Sequence, residues 1–336
     1  MDLNMPFHGF KSLSWLLLLS LPASAHHSAA QYRVDQVVAI QGTVSAFDWT
    51  NPHTYLFIED AEGRNWRIEG NATSILRRNG WSRDTLQEQD SVTVRINPAR
   101  NADQSRGRLL SLTTADNSVY SASTSSIDIS SESAGRRPDD IQGIWIGRSA
   151  EAFDLLFAYI DHPLTDKGNT ARAEYDQSKD PIADCVTWPT PRLTAWTAFY
   201  LSEIELQDDV AFLRNEFDRT ERIIYLDGRS HPDKSQHFVQ GHSIGRWDDD
   251  VLVVDTTNFS PHRSPVAAGI PSGQAKRVTE RFSLTDDGTG LAVDIRVEDP
   301  EYLAEPFEAG LTWQFVPDME FLPFDCDPAI SRRYVE

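Results

Sequence analysis

The chain has 336 residues and carries 51 acidic against 31 basic side chains, a formal net charge of −20 at neutral pH, with only two cysteines. An acidic balance of that size repels polyphosphates and anionic bilayers, and so argues against nucleic acid and membrane surfaces as partners. Phosphate-cradling glycine loops, dinucleotide fingerprints, zinc-finger spacings and CxxCH haem attachment are absent from the sequence.

Near the amino terminus Lys11 precedes an apolar run over 13–21, interrupted by Ser14 and Ser20 and followed by Pro22 and Ala23-Ser24-Ala25. A basic residue, a short apolar run and a small-residue cleavage site form a secretory signal peptide over 1–25. The run is shorter than the ~20 apolar residues that span a bilayer. The expected protein is therefore periplasmic or secreted, has no membrane span, and begins at His26. In an oxidising compartment Cys185 and Cys326 are expected to pair, closing a long loop.

Short alternating runs over 37–47, 55–59, 66–69, 92–96 and 109–113 predict five strands, with Gly63 at a hairpin turn. One helix is expected over 73–78, ended by Asn79-Gly80. Five strands with a helix after the third is the order of an OB-like small barrel, here over 26–115. Serines then crowd the stretch 116–140 while large apolar residues thin out, the composition of a flexible linker.

From 141 to 336 the chain again reads as strand, with a short helical segment around 170–175. Runs over 199–206, 210–217, 222–226, 242–247, 251–256, 277–284, 291–297 and 311–316 are joined by turns such as Asp227-Gly228, Asp248-Asp249-Asp250 and Asp287-Gly288. About eight consecutive antiparallel strands predict a lipocalin-like antiparallel β-barrel, with a β-sandwich as the alternative. The fold class is all-β.

Two sets of motifs carry a resemblance. His26-His27-Ser28, Gly42-Thr43-Val44, Trp49-Thr50-Asn51-Pro52-His53 and the run from Leu76 to Trp81 resemble an uncharacterised family of exported bacterial domains. The run from Arg222 to Arg229, His231-Pro232, Gly241-His242-Ser243-Ile244-Gly245-Arg246-Trp247 and the run from Val278 to Phe282 are similar to a second uncharacterised group, a lipocalin-like β-barrel. Neither resemblance implies a reaction.

Three constellations carry chemistry. A mature amino-terminal His26 offers its α-amine and ring to one metal ion, with His53 as a distant partner and His27 as a further ligand; nitrogen donors in such a planar set suit copper as Cu(II). Gly241-His242-Ser243-Ile244-Gly245 matches a nucleophile elbow, with Asp255 and His262 following in serine, acid, histidine order. An elbow requires strand, sharp turn and helix, whereas the flanking residues here describe a hairpin, which makes a serine hydrolase the weakest reading. Finally, Arg222, Tyr225, Asp227, Arg229, His231, His242, Arg246, Asp255, Glu280, Arg281 and Asp294 interrupt otherwise apolar strands. If His242, Arg246, Asp255 and Glu280 meet inside the barrel beside Tyr225, they form an acid/base pair with a guanidinium that stabilises negative charge. The competing expectation is that these residues form surface cross-strand ion pairs or a buried network that fixes strand register.

The aromatics Trp145, Trp188, Trp196, Phe199, Trp247 and Trp313 fit either a cavity lining or an ordinary core. The functional expectation is an exported protein that binds a small apolar or amphipathic molecule in its second barrel, with a copper site on the first. An acid/base enzyme of isomerase, cyclase or hydratase type acting on such a molecule is the alternative.

Overall fold

A computed structural model describes residues 31–122, 136–176, 179–262, 266 and 269–334. The first domain contains β1 (Val38–Asp48), β2 (Tyr55–Asp60), β3 (Asn65–Glu69), β4 (Ser91–Pro98), β5 (Arg106–Thr114) and β6 (Val119–Ser121). Their apolar alternation turns Val44, Ile58, Ile68, Val94, Ile96 and Leu112 into a common core. Strands follow the order β3-β2-β1-β4-β5, and a parallel pairing of β3 with β5 closes the five-stranded barrel. Gly63 makes the turn into β3 at a φ of 77°, a conformation that glycine adopts without steric cost.

Helix α1 (Thr73–Arg78) buries Ile75 and Leu76 and stops at Asn79. Ala72 offers no capping side chain, so the first-turn amide of Thr73 donates instead to Asn51 Oδ1 at 3.0 Å. The Trp49-Thr50-Asn51-Pro52-His53 stretch thus caps a helix remote in sequence. β6 lies inside the stretch expected to be linker and extends the first sheet; residues 123–135 of that stretch lie outside the described residues.

The second domain closes a larger barrel from β7 (Gly143–Gly147), β8 (Ser202–Leu206), β9 (Val210–Asn215), β10 (Thr220–Tyr225), β11 (His242–Asp248), β12 (Val251–Thr257), β13 (Arg277–Leu284), β14 (Gly290–Glu298) and β15 (Phe307–Phe315). The protein is all-β with two closed barrels. The second has nine strands rather than about eight, because 143–147 joins the ring. Every neighbour in the ring is consecutive in sequence except the closing pair β15–β7. An odd ring cannot alternate direction throughout, so one pairing must be parallel. That pairing is β10 with β11, through Ile224 with Ser243 and Tyr225 with Ile244.

Trp145, Phe282, Leu291, Val293 and Trp313 are at most 1% exposed and fill this barrel from within. Helix α2 (Ser149–Asp161) covers it, burying Ala152, Leu155, Leu156 and Tyr159. The expected helical segment near 170–175 is α3 (Asp166–Ala173).

The two barrels share a contact surface. Ile75 packs with Trp188, Leu193, Tyr200 and Phe217, and the Arg78 guanidinium donates to the fully buried carboxylate of Glu216. The carboxy-terminal segment then crosses onto the first barrel. Trp49 Nε1 and Arg77 Nη2 donate to Asp325 Oδ2 at 2.9 and 2.6 Å, Ser331 Oγ donates to Asn51 O at 2.7 Å, and Tyr334 stacks on Tyr55. The expected Cys185–Cys326 disulfide is formed and ties this segment back to the second domain. Among the described residues no helix is long and apolar enough to cross a membrane.

Candidate acid–base site

The parallel pairing has a consequence for the chain between its two strands. Since β10 and β11 run in the same direction, residues 226–241 must travel back along the barrel wall, and they do so on its outer face. Asn258 fastens this crossover: its Nδ2 donates to the carbonyls of Asp233 and Gln236, each at 3.0 Å. The crossover ends at Gly241, whose φ is 74° and whose absent Cβ would lie 2.6 Å from Thr256 Cγ2. A glycine is required there to start β11 at His242.

Strand alternation separates the polar residues into two groups. Arg222 and Ile224 of β10, Ser243 of β11, Thr256 of β12 and Glu280 of β13 are buried and face inward. Glu221, Ile223 and Tyr225 face outward, as do His242 and Asp255. Tyr225 therefore does not look into the barrel, because its neighbours Ile224 and Arg222 take the inner positions.

On the outer face a chain of three side chains is assembled. Asp255 Oδ2 lies 3.1 Å from His231 Nε2, and His231 Nδ1 lies 2.9 Å from His242 Nδ1. Arg277 grips the same carboxylate in a fork, Nε donating to Oδ1 at 2.6 Å and Nη2 to Oδ2 at 3.1 Å. Tyr225 stacks on the His242 ring with centroids 5.1 Å apart, and the Arg229 guanidinium lies 3.8 Å from the Tyr225 centroid. Asp227 holds Arg229 there, and the guanidinium in turn keeps the Asp227 carboxyl below its ordinary range.

Proton positions follow from the network. A carboxylate only accepts, so His231 Nε2 carries hydrogen and, in the neutral ring, Nδ1 is bare. His242 then donates through Nδ1–H, which leaves its Nε2 unprotonated. Partial burial and the nearby Arg229 guanidinium lower the His242 pKa, which favours its neutral ring. A proton taken up at His242 Nε2 can be balanced by passing the Nδ1 proton to His231, whose imidazolium then faces Asp255.

The expected interior quartet is not brought together. His242 and Asp255 are linked through His231 outside the barrel, and Arg246 stands exposed on the outer face 3.9 Å from Asp248. Glu280 is fully buried within, accepting from Arg222 Nη2 at 2.6 Å and Thr194 Oγ1 at 2.7 Å. The serine, acid, histidine triad is also separated. Ser243 points inward and accepts from Arg222 Nε at 2.8 Å, whereas Asp255 points outward. His262 bridges to Ser272 instead, and burial lowers its pKa to about 4. The flanking residues form the β11–β12 hairpin rather than an elbow.

Among the aromatics Trp145 and Trp313 are core, Trp188, Trp196 and Phe199 join the contact between barrels, and Trp247 is exposed. On the first barrel His53 Nδ1 lies 3.3 Å from Gly70 O and 3.5 Å from Glu69 Oε1. His26 and His27 lie outside the described residues. Among the described residues no group of three or more histidine, cysteine or carboxylate side chains is arranged to hold a metal ion.

The fold and site define a two-barrel protein with an aspartate–histidine–histidine chain on the outer wall of the larger barrel. Residues 15–108 match a family of unknown function, DUF6152. No curated protein matches the chain.

Proposed function

We propose that the protein is an exported acid/base catalyst that works on a small apolar or amphipathic molecule at the outer seam of its second barrel. The observation that carries this reading is the Asp255–His231–His242 chain, which ends beside the Tyr225 ring; with His231 neutral, its hydrogen bonds leave His242 Nε2 bare. His242 is the base, His231 takes up the charge, Asp255 stabilises it, and Arg277 fixes Asp255. The Cys185–Cys326 disulfide supports export. Packing of the barrel interior by Trp145, Phe282 and Trp313 favours chemistry on the wall over chemistry within. Ring opening of 5-nitrobenzisoxazole, a general probe of proton abstraction, tests it. Wild type should exceed His242→Ala and Asp255→Asn by about 100-fold, the lower range for a positioned base. Equal rates in all three overturn the proposal.

A second reading is favoured by His53. Its Nδ1 faces an acceptor carbonyl and a carboxylate, which places the hydrogen there and leaves Nε2 bare, the arrangement of a metal-ligating histidine. Tyr32 donates to the other oxygen of Glu69 at 3.0 Å. The six residues back to His26 reach about 20 Å when extended, enough to return to His53. With cleavage after Ala25, the His26 amine and ring, together with His53 and with His27 nearby, would hold Cu(II). One copper per mature chain, lost in His53→Ala, is the expected result; unchanged uptake in that variant removes the reading.

A further inference from the structure

The wall behind the acid–base chain is held unevenly. β11 and β12 pair antiparallel along their full lengths, His242–Asp248 against Val251–Thr257, so the hairpin itself fixes His242 relative to Asp255. β10 meets this hairpin only through Ile224 with Ser243 and Tyr225 with Ile244, the shortest pairing in the ring. Two members of the outer site depend on that seam for their place. Tyr225 stands on β10, and the crossover that carries His231 leaves the end of β10 and returns to the start of β11.

The inner face supplies what the backbone pairing does not. Arg222 of β10 is 4% exposed, and its guanidinium reaches across the seam: Nε donates to Ser243 Oγ at 2.8 Å, and Nη2 donates to Thr256 Oγ1 at 2.7 Å and Glu280 Oε2 at 2.6 Å. The two hydroxyls lie 3.0 Å apart, within hydrogen-bond distance of each other. One side chain thus joins β10 to β11, β12 and β13. Both hydroxyl acceptors are chain neighbours of outer residues, Ser243 following His242 and Thr256 following Asp255, and alternation sends each pair to opposite faces of the wall. A guanidinium suits this task because its planar fork holds several acceptors in fixed directions, which an ammonium on a flexible stem does not. Glu280 balances the charge and is itself held by Thr194 Oγ1 at 2.7 Å.

We infer that Arg222 is a positioning residue for the acid–base chain: by fastening β10 to the β11–β12 hairpin from inside the barrel, it sets where Tyr225 and His231 stand against His242 and Asp255. His231 has to meet two partners at once, at 2.9 and 3.1 Å, and a displacement of about 0.5 Å is enough to take a positioned group out of productive geometry. The inference rests on the acid/base reading and adds to it a residue on the opposite face of the wall.

The test removes the tie and keeps the charge pair. Ser243→Ala/Thr256→Val deletes both hydroxyl acceptors while leaving Arg222 opposite Glu280, and Thr256→Ser keeps both hydroxyls. In the intact disulfide-bonded chain, nitrogen-15 NMR reads the scalar coupling between His231 Nδ1 and His242 Nδ1 through their hydrogen bond, a signal that a change in overall stability does not move. Wild type and Thr256→Ser should show the coupling. The double variant should lose it, and its kcat for 5-nitrobenzisoxazole should fall about 10–100-fold with KM little changed, the range for a misplacement of up to about 1 Å. Arg222→Lys, which retains a cation beside Glu280 but not the fork, should behave as the double variant does, and it decides the outcome if the thermal melt shows the double variant unfolded. An undiminished coupling in either folded variant overturns the inference and leaves the acid/base reading standing. Loss of the coupling in Thr256→Ser also overturns it, by making packing rather than the hydroxyl responsible, whereas absence of the coupling in wild type overturns inference and reading together.

Discussion

Replacing Arg78 by methionine tests how the two barrels are held together. The Glu216 side chain is 0% exposed and that of Arg78 is 9% exposed. Glu216 accepts from Arg78 Nη1 at 3.0 Å, from Arg78 Nη2, and from the amides of Leu201 at 3.3 Å and Leu322 at 2.7 Å. Arg78→Met leaves a buried carboxylate with two amide donors and no counterion, a change that costs about 3–5 kcal/mol. The double variant Arg78→Met/Glu216→Gln removes the stranded charge and should recover most of that loss, to within about 1–2 kcal/mol of wild type. Urea unfolding at neutral pH, followed by tryptophan fluorescence, reports both values. A single variant within about 1 kcal/mol of wild type would refute the reasoning, as would a double variant no more stable than the single.

Further outcomes follow from the same structure. Cys185→Ser/Cys326→Ser opens a loop with a sequence separation of 141, worth at most about 5 kcal/mol by chain entropy, and should lower the thermal midpoint; an unchanged midpoint contradicts this. Burial lowers the Lys276 pKa to about 7 from 10.5, so above pH 7 the unfolded chain holds a proton that the native state has released, and stability from this group rises with pH up to about 10. Lys276→Met should therefore be more stable than wild type at pH 6, with the gap narrowing by pH 9; a gap independent of pH contradicts the shift. Gly241→Ala forces a methyl against Thr256 and Phe259 at positive φ and should cost about 1–3 kcal/mol in urea unfolding, with a neutral result refuting the stated need for glycine.

Both barrels were legible wherever alternation was clean. The expected strands of the first domain differ from β1 to β5 by a few residues at their ends, and 73–78 is the helix. Helix α2 is not among the expected elements, although Ala152, Leu155, Leu156 and Tyr159 recur at helical spacing; Arg148 supplies no capping side chain to mark its start. Period two alone separates His242, Ile244 and Arg246 from Ser243, Gly245 and Trp247. Which face is inner did not follow, because Arg222 and Glu280 neutralise each other inside while Tyr225 and His242 lie outside. A parity of two leaves that choice open. His231 belonged to the wider polar set, but its position beside His242 depends on the parallel pairing and its crossover. Arg277 gave no signal, since an arginine at a strand end reads as a solvated charge.

The most direct test of the central claim is nitrogen-15 NMR of the His231 and His242 rings across pH. At neutral pH His242 should show hydrogen on Nδ1 and a bare Nε2, and should take up a proton below the ordinary histidine range. Asp255→Asn, which removes a nearby negative charge, should push proton uptake by His242 to still lower pH. Hydrogen on His242 Nε2 at neutral pH, or a His242 titration unchanged in Asp255→Asn, would contradict the acid–base account.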